Sequence, residues 1–121
     1  MTDKRLLIVD DEPDFATFVS RVGKQLGHDV RIAADAEAFK ELCISFDPTI
    51  IVLDIVMPEI DGIELIKWLG ANHTTAKIIA ISGANPLYSS SAQHIGDGFG
   101  INVTAVSKPI SLADLKAALS H

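Results

Sequence analysis

The sequence contains a single cysteine, Cys43, among its 121 residues. One thiol can form neither a disulfide within the chain nor a cysteine-rich zinc site, so disulfide scaffolds and cysteine zinc modules are excluded. We expect Cys43 to be a small residue of the core.

Long hydrophobic runs are also absent. The stretch from Thr49 to Leu53 is far shorter than the roughly 18–20 residues that a bilayer span needs. The first five residues lead into only four apolar residues before Asp10, too few for the core of a signal peptide. We therefore expect a cytoplasmic protein with no membrane partner.

Basic residues are few, since ten Lys and Arg stand against sixteen Asp and Glu and the formal charge is -6. A protein with this net negative charge is repelled by the anionic surface of nucleic acids, so direct binding of nucleic acid is not expected. Hydrophobic residues make up 48% of the chain, enough for one sizeable core at this length. We predict a single domain covering residues 1–121.

Five short apolar runs predict strands, at residues 6–9, 30–33, 50–53, 78–81 and 103–106. Nearly continuous apolar runs are typical of strands that are covered on both faces of a parallel sheet. Between the runs, apolar residues recur at helical spacing, for example from Phe15 to Leu26 before Gly27. Asp35, Asp61 and Ser111 are candidate N-cap residues of later helices.

The region from residue 85 to 100 is rich in serine and glycine, so we predict only a short fourth helix there. Five strands thus alternate with five helices. This order predicts an α/β fold with a doubly wound, five-stranded parallel sheet.

Polar residues follow the ends of the predicted strands: Asp10, Asp11, Asp54, Ser82 and Lys108. Ligands bind at this edge of such a sheet. Three clustered carboxylates repel one another unless a cation neutralises them, and Mg²⁺ prefers oxygen ligands and keeps room for phosphate. The pattern therefore predicts a magnesium site that is open to a phosphoryl group.

The same edge offers the remaining groups for phosphoryl transfer. Lys108 can supply a cation and Ser82 a hydroxyl to the charge on the phosphoryl oxygens. A carboxylate can act as the nucleophile and form an aspartyl phosphate, and Asp54 is the best-placed candidate.

Four motifs carry a resemblance to the response-regulator receiver family. They are LLIVDDEP at 6–13, IVLDIVMPEIDG at 51–62, ISGA at 81–84 and SKPI at 107–110. The resemblance covers essentially the whole chain and implies a flavodoxin-like (βα)5 receiver fold. It also implies that Asp54 is the phosphoacceptor. The implied Mg²⁺ ligands are Asp11, Asp54 and the main-chain carbonyl of Val56, with Asp10 acting largely through metal-bound water.

By the same resemblance, Ser82 and Lys108 contact the phosphate. The sequence departs from the family at Ala105, where an aromatic switch residue is usual. Val56 and Ala84 stand at two positions that influence phosphoryl lifetime in the family, and neither side chain can orient an attacking water. We therefore expect slow self-dephosphorylation.

The resemblance implies a signalling switch that catalyses its own phosphorylation and dephosphorylation. A sensor histidine kinase or a histidine phosphotransfer protein would donate the phosphoryl group, and an unidentified protein would receive the signal. The chain is expected to be either a stand-alone receiver or a piece of a longer protein.

Two other function classes stay open. One is a Mg²⁺-dependent phosphatase with an aspartyl nucleophile, although such enzymes carry a second acid where this chain has Val56. The other is a pseudo-receiver that works without phosphorylation, to which Ala105 points.

Overall fold

A computed structural model describes residues 4–10, 12–55, 62–72, 74–82, 97–108 and 110–120. Strands and helices alternate along these residues, and residues 97–99 add one helical turn. The bounds are β1 Arg5–Val9, α1 Pro13–Gln25, β2 Asp29–Ala33, α2 Ala36–Ser45, β3 Ile50–Asp54, α3 Gly62–Ala71, β4 Lys77–Ser82, β5 Val103–Ser107 and α4 Leu112–Leu119.

All five predicted strands are present, and they form one parallel sheet in the order β2-β1-β3-β4-β5. The doubly wound five-stranded architecture is therefore confirmed. Most of the predicted helix between residues 85 and 100 lies outside the described residues, and its last part contains the helical turn at 97–99.

Alternate residues of each central strand face opposite layers of helices. In β1, Leu6 and Ile8 join a core cluster with residues of α1 and α4, whereas Leu7 and Val9 join a second cluster with residues of α2 and α3. Because both faces are buried, the positions inside such a strand are apolar, and the polar residues stand at its ends. This explains the continuous apolar runs in the sequence.

Two of the predicted helix caps are confirmed by hydrogen bonds. The amide of Ala38 donates to the side chain of Asp35 at 2.7 Å, and the amide of Asp114 donates to the hydroxyl of Ser111 at 3.0 Å. Each cap satisfies an amide that has no partner within its helix. Gly27 follows the end of α1 with a φ of 88°, a conformation that favours glycine.

The strand β2 differs from the expectation that every run is a buried strand. It lies at the edge of the sheet and pairs only with β1, and Ile32 is 48% exposed. Arg31 turns outward as well, and its guanidinium lies 4.9 Å from the centroid of the Phe46 ring. The run at residues 30–33 contains the charged Arg31, so it is not continuously apolar, and the prediction of burial was wrong here.

Cys43 is half-buried and packs against the cluster of α2 and α3, close to the expected core position. Burial raises the pKa of its thiol to about 12. His28 is buried, and its Nε2 donates to the carbonyl of Leu119 at 2.9 Å, a structural contact with α4. No helix among the described residues is long and apolar enough to cross a membrane.

Candidate functional site

The register of the two central strands brings Asp10 and Asp54 together. Val9 of β1 is the partner of Leu53 of β3, and the two aspartates follow directly. Asp10 is only 9% exposed and Asp54 only 4%. Burying a charged carboxylate costs free energy unless a cation or hydrogen bonds compensate the charge. This edge of the sheet, at the carboxyl ends of the strands, therefore requires positive charge near Asp10 and Asp54.

Lys108 supplies part of that charge from the end of β5. Its Nζ donates to Oδ2 of Asp54 at 3.2 Å and to Oε1 of Glu12 at 3.0 Å. Burial opposes the charge of this lysine, but the hydrogen bonds with Glu12 and Asp54 outweigh it and raise the pKa of Lys108 above its ordinary value. The ammonium is therefore held charged between two carboxylates.

Two further residues lie at this site, Glu12 and Phe15, and neither was among the site residues predicted from the sequence. Glu12 lies just before α1 and reaches Lys108, and the Phe15 ring of α1 lies with its centroid 4.6 Å from Nζ of Lys108. A third acid directly before Pro13 was the available signal for Glu12. Phe15 carried no such signal, because its spacing fits an ordinary apolar helix face.

Negative charge is in excess at this edge. Oxygen atoms of Asp10, Glu12 and Asp54 all lie within 4.8 Å of one another, and the ammonium of Lys108 contacts Glu12 and Asp54. Burial raises the pKa of Asp10 to about 6, and the charge of Asp54 adds to the effect. The amide of Glu12 donates to Asp10 at 2.8 Å and works in the opposite direction.

These observations fit a hard divalent cation. The candidate metal ligands are carboxylate oxygens, which such a cation prefers. The pKa of Asp10 is raised because its negative charge is buried, and a bound metal ion would neutralise that charge. Of the predicted site residues, the structure brings together Asp10, Asp54 and Lys108. Asp11 and Val56 lie outside the described residues, and of Ser82 only the backbone, at the end of β4, is described. Their roles stay predictions.

The charge of Asp10 should cost the metal-free protein stability at neutral pH. Its pKa is raised from 3.8 to about 6, so folding favours the protonated form. The cost is absent below about pH 4, grows through pH 6 and is fully present above it. In EDTA at pH 7, Asp10→Asn should raise the free energy of unfolding by up to about 3 kcal/mol.

Urea unfolding at pH 4, 5, 6 and 7 checks this expectation. The difference between Asp10→Asn and the unchanged protein should widen with pH, because only the unchanged protein loses the proton. A difference that stays constant across this range would contradict the buried charge.

The sequence profile of the response regulator receiver domain matches residues 6–120. The chain belongs to this family. Phosphorylation and Mg²⁺ binding are general features of receiver domains, which are phosphorylated by histidine kinases in two-component signalling. A receiver domain is part of a signalling protein and not an enzyme in the usual sense.

Individual relatives agree with this assignment. The receiver domain is 30% identical over 115 residues to the response regulator ArlR of Staphylococcus saprophyticus, covering 95% of this chain and 50% of that protein. It is 37% identical over 81 residues to the chemotaxis protein CheY of Listeria monocytogenes, covering 64% and 66% of the two chains. The matches to two further curated relatives span only 28% and 31% of their lengths.

Solved structures share the fold of this receiver domain. The signal receiver domain of a response regulator from Bermanella marisrubri superposes with a TM-score of 0.82 at 29% identity, covering 94% of this chain and 92% of that one.

Proposed function

We propose that Asp54 is the phosphoacceptor of this receiver domain. The observation that carries the proposal is the ammonium of Lys108, 3.2 Å from Oδ2 of a carboxylate that is only 4% exposed. An oxygen of Asp54 would bond to phosphorus while the bond from phosphorus to the imidazole nitrogen of a donor histidine breaks. That nitrogen keeps the electron pair, and because the other ring nitrogen of the phosphohistidine carries a proton, the donor leaves as a neutral imidazole.

Asp10 and Asp54 would hold Mg²⁺, together with Asp11 and the carbonyl of Val56 by the family resemblance. The bound cation neutralises charge on the phosphoryl oxygens. Lys108 would add a second positive charge and donate hydrogen bonds to the same oxygens. These interactions become stronger in the transition state, where negative charge spreads over the oxygens. Ser82, at the end of β4, would contribute its hydroxyl.

The domain would act as a phosphorylation-dependent switch in the cytoplasm, as one unit over residues 1–121. A sensor histidine kinase or a histidine phosphotransfer protein is the proposed donor, and the added charge would shift a conformational equilibrium that a target protein reads. Ala105, the partner of Ala80 in the sheet, stands at the usual aromatic position. The switch would therefore use other groups.

Mass spectrometry of the intact protein tests the function. Incubation with Mg²⁺ and acetyl phosphate should give one phosphoryl adduct, and EDTA should prevent it. We propose that the domain also removes the group itself, slowly, so the adduct should decay over minutes after the donor is removed. Decay within a few seconds would contradict slow self-dephosphorylation.

The same incubation separates the other function classes. Steady release of phosphate from many unrelated esters would favour a phosphatase. A complete lack of adduct with acetyl phosphate and with a phosphorylated histidine donor would favour a pseudo-receiver.

A further inference from the structure

The backbone of Glu12 is fixed on both sides. Its amide donates to Asp10 at 2.8 Å, and its carbonyl accepts the amide of Ala16 at 3.0 Å in the first turn of α1. Pro13 follows it and restricts its conformation further. The side chain of Glu12 therefore starts from a rigid point beside the phosphoacceptor.

From this point the carboxylate of Glu12 reaches a residue 96 positions away, because Oε1 lies 3.0 Å from Nζ of Lys108. The ammonium is then surrounded on three sides, by Glu12, by Asp54 at 3.2 Å and by the ring of Phe15 at 4.6 Å. An ammonium has three N–H donors and no more. Glu12 and Asp54 engage two of these donors and the ring of Phe15 lies against the ammonium, so a phosphoryl group on Asp54 competes with Glu12 for the lysine.

The two carboxylates differ in what they lose when Lys108 leaves. The side chain of Asp54 is 5% exposed, whereas that of Glu12 is 61% exposed. Water can solvate the exposed carboxylate as soon as it loses the lysine, so such ion pairs break at little cost. Water reaches the buried carboxylate of Asp54 much less. Glu12 is therefore the partner that Lys108 gives up more easily.

We propose that Glu12 is a positioning residue that holds Lys108 before phosphorylation and competes with the phosphoryl group for its ammonium. The proposal rests on the proposed function of Asp54. When the phosphoryl group is attached, Lys108 turns from Glu12 to the phosphoryl oxygens. The strength of the Glu12 contact then sets part of the affinity of the site for a phosphoryl group.

Beryllofluoride, a mimic of the phosphoryl group, tests this competition by titration in saturating Mg²⁺. Glu12→Gln should bind it about threefold more tightly, in the range that an exposed ion pair allows. Glu12→Asp keeps the charge but shortens the side chain by one methylene. It should behave like Glu12→Gln if the contact matters, and like the unchanged protein if only the charge matters. Glu37→Gln, an exposed acid of α2, is the control and should change nothing.

A double-mutant cycle identifies the route of the effect. In a Lys108→Ala background, Glu12→Gln should no longer tighten binding, because the competition acts through the lysine. A merely structural role of Glu12 would give the same change in both backgrounds. Equal effects in both backgrounds, or wild-type behaviour of Glu12→Asp, would overturn the proposal.

A separate measurement distinguishes failure of this proposal from failure of the proposed function. The ¹⁵N NMR signal of the Lys108 ammonium in the metal-free protein should shift in Glu12→Gln, whether or not Asp54 accepts phosphate. An unshifted signal would overturn the Glu12 contact alone. A shifted signal in a protein that accepts neither beryllofluoride nor phosphate would overturn both the function of Asp54 and the competition that depends on it.

Discussion

Asp54→Asn should abolish the phosphoryl adduct completely. The amide nitrogen of asparagine is not a nucleophile, and the variant loses a carboxylate oxygen that would bind the cation. Asparagine has nearly the same size and shape as aspartate, so the buried position at the end of β3 should still pack. The measurement is the mass of the intact protein after incubation with acetyl phosphate and Mg²⁺, with circular dichroism to check the fold.

Asp114→Asn is the matched control for this prediction. Asp114 is an exposed aspartate in the first turn of α4, and its replacement should leave the adduct unchanged. A full adduct on Asp54→Asn would place the phosphoryl group on another residue. The assignment of the phosphoacceptor would then be wrong, although the family membership would stand.

Gly62→Ala should destabilise the protein strongly. A Cβ at this position would lie 2.5 Å from Cα of Ile55 and 2.8 Å from the carbonyl oxygen of Asp54. Both contacts are with backbone, which cannot move aside like the end of a flexible side chain. Overpacking of this kind costs about 1–3 kcal/mol or more, whereas the better helix propensity of alanine returns only up to about 1 kcal/mol. We expect the free energy of unfolding to fall by about 2 kcal/mol.

The substitution should also reduce phosphorylation, because the atoms that move belong to Asp54, the proposed phosphoacceptor, and to its neighbour Ile55. Urea unfolding and the rate of adduct formation measure the two effects. Gly98→Ala is the control, since a Cβ there meets no atom of the described residues within 4 Å, and the free energy of unfolding should change by less than about 0.5 kcal/mol. If the unfolding curves of Gly62→Ala and Gly98→Ala coincide, the backbone at Ile55 moves aside at little cost in free energy, and the prediction is wrong.

Much of this site could be predicted because it depends on strand ends. The apolar runs locate β1, β3 and β5, and the residues that follow them, Asp10, Asp54 and Lys108, meet at one edge. The contact of Glu12 could not be predicted, because it depends on the path of one exposed side chain. The edge position of β2 was missed for a similar reason, since strand order is not written in any single run.

The position of the site in the chain has a consequence for fragments. Asp10, Asp54 and Lys108 stand at the ends of β1, β3 and β5, and β4 lies between β3 and β5. The three side chains therefore come together only when these four strands have assembled. No proteolytic half of the domain contains all three groups. Under the proposed function, uptake of a phosphoryl group therefore requires the assembled sheet, and fragments that lack one of these strands should take up none.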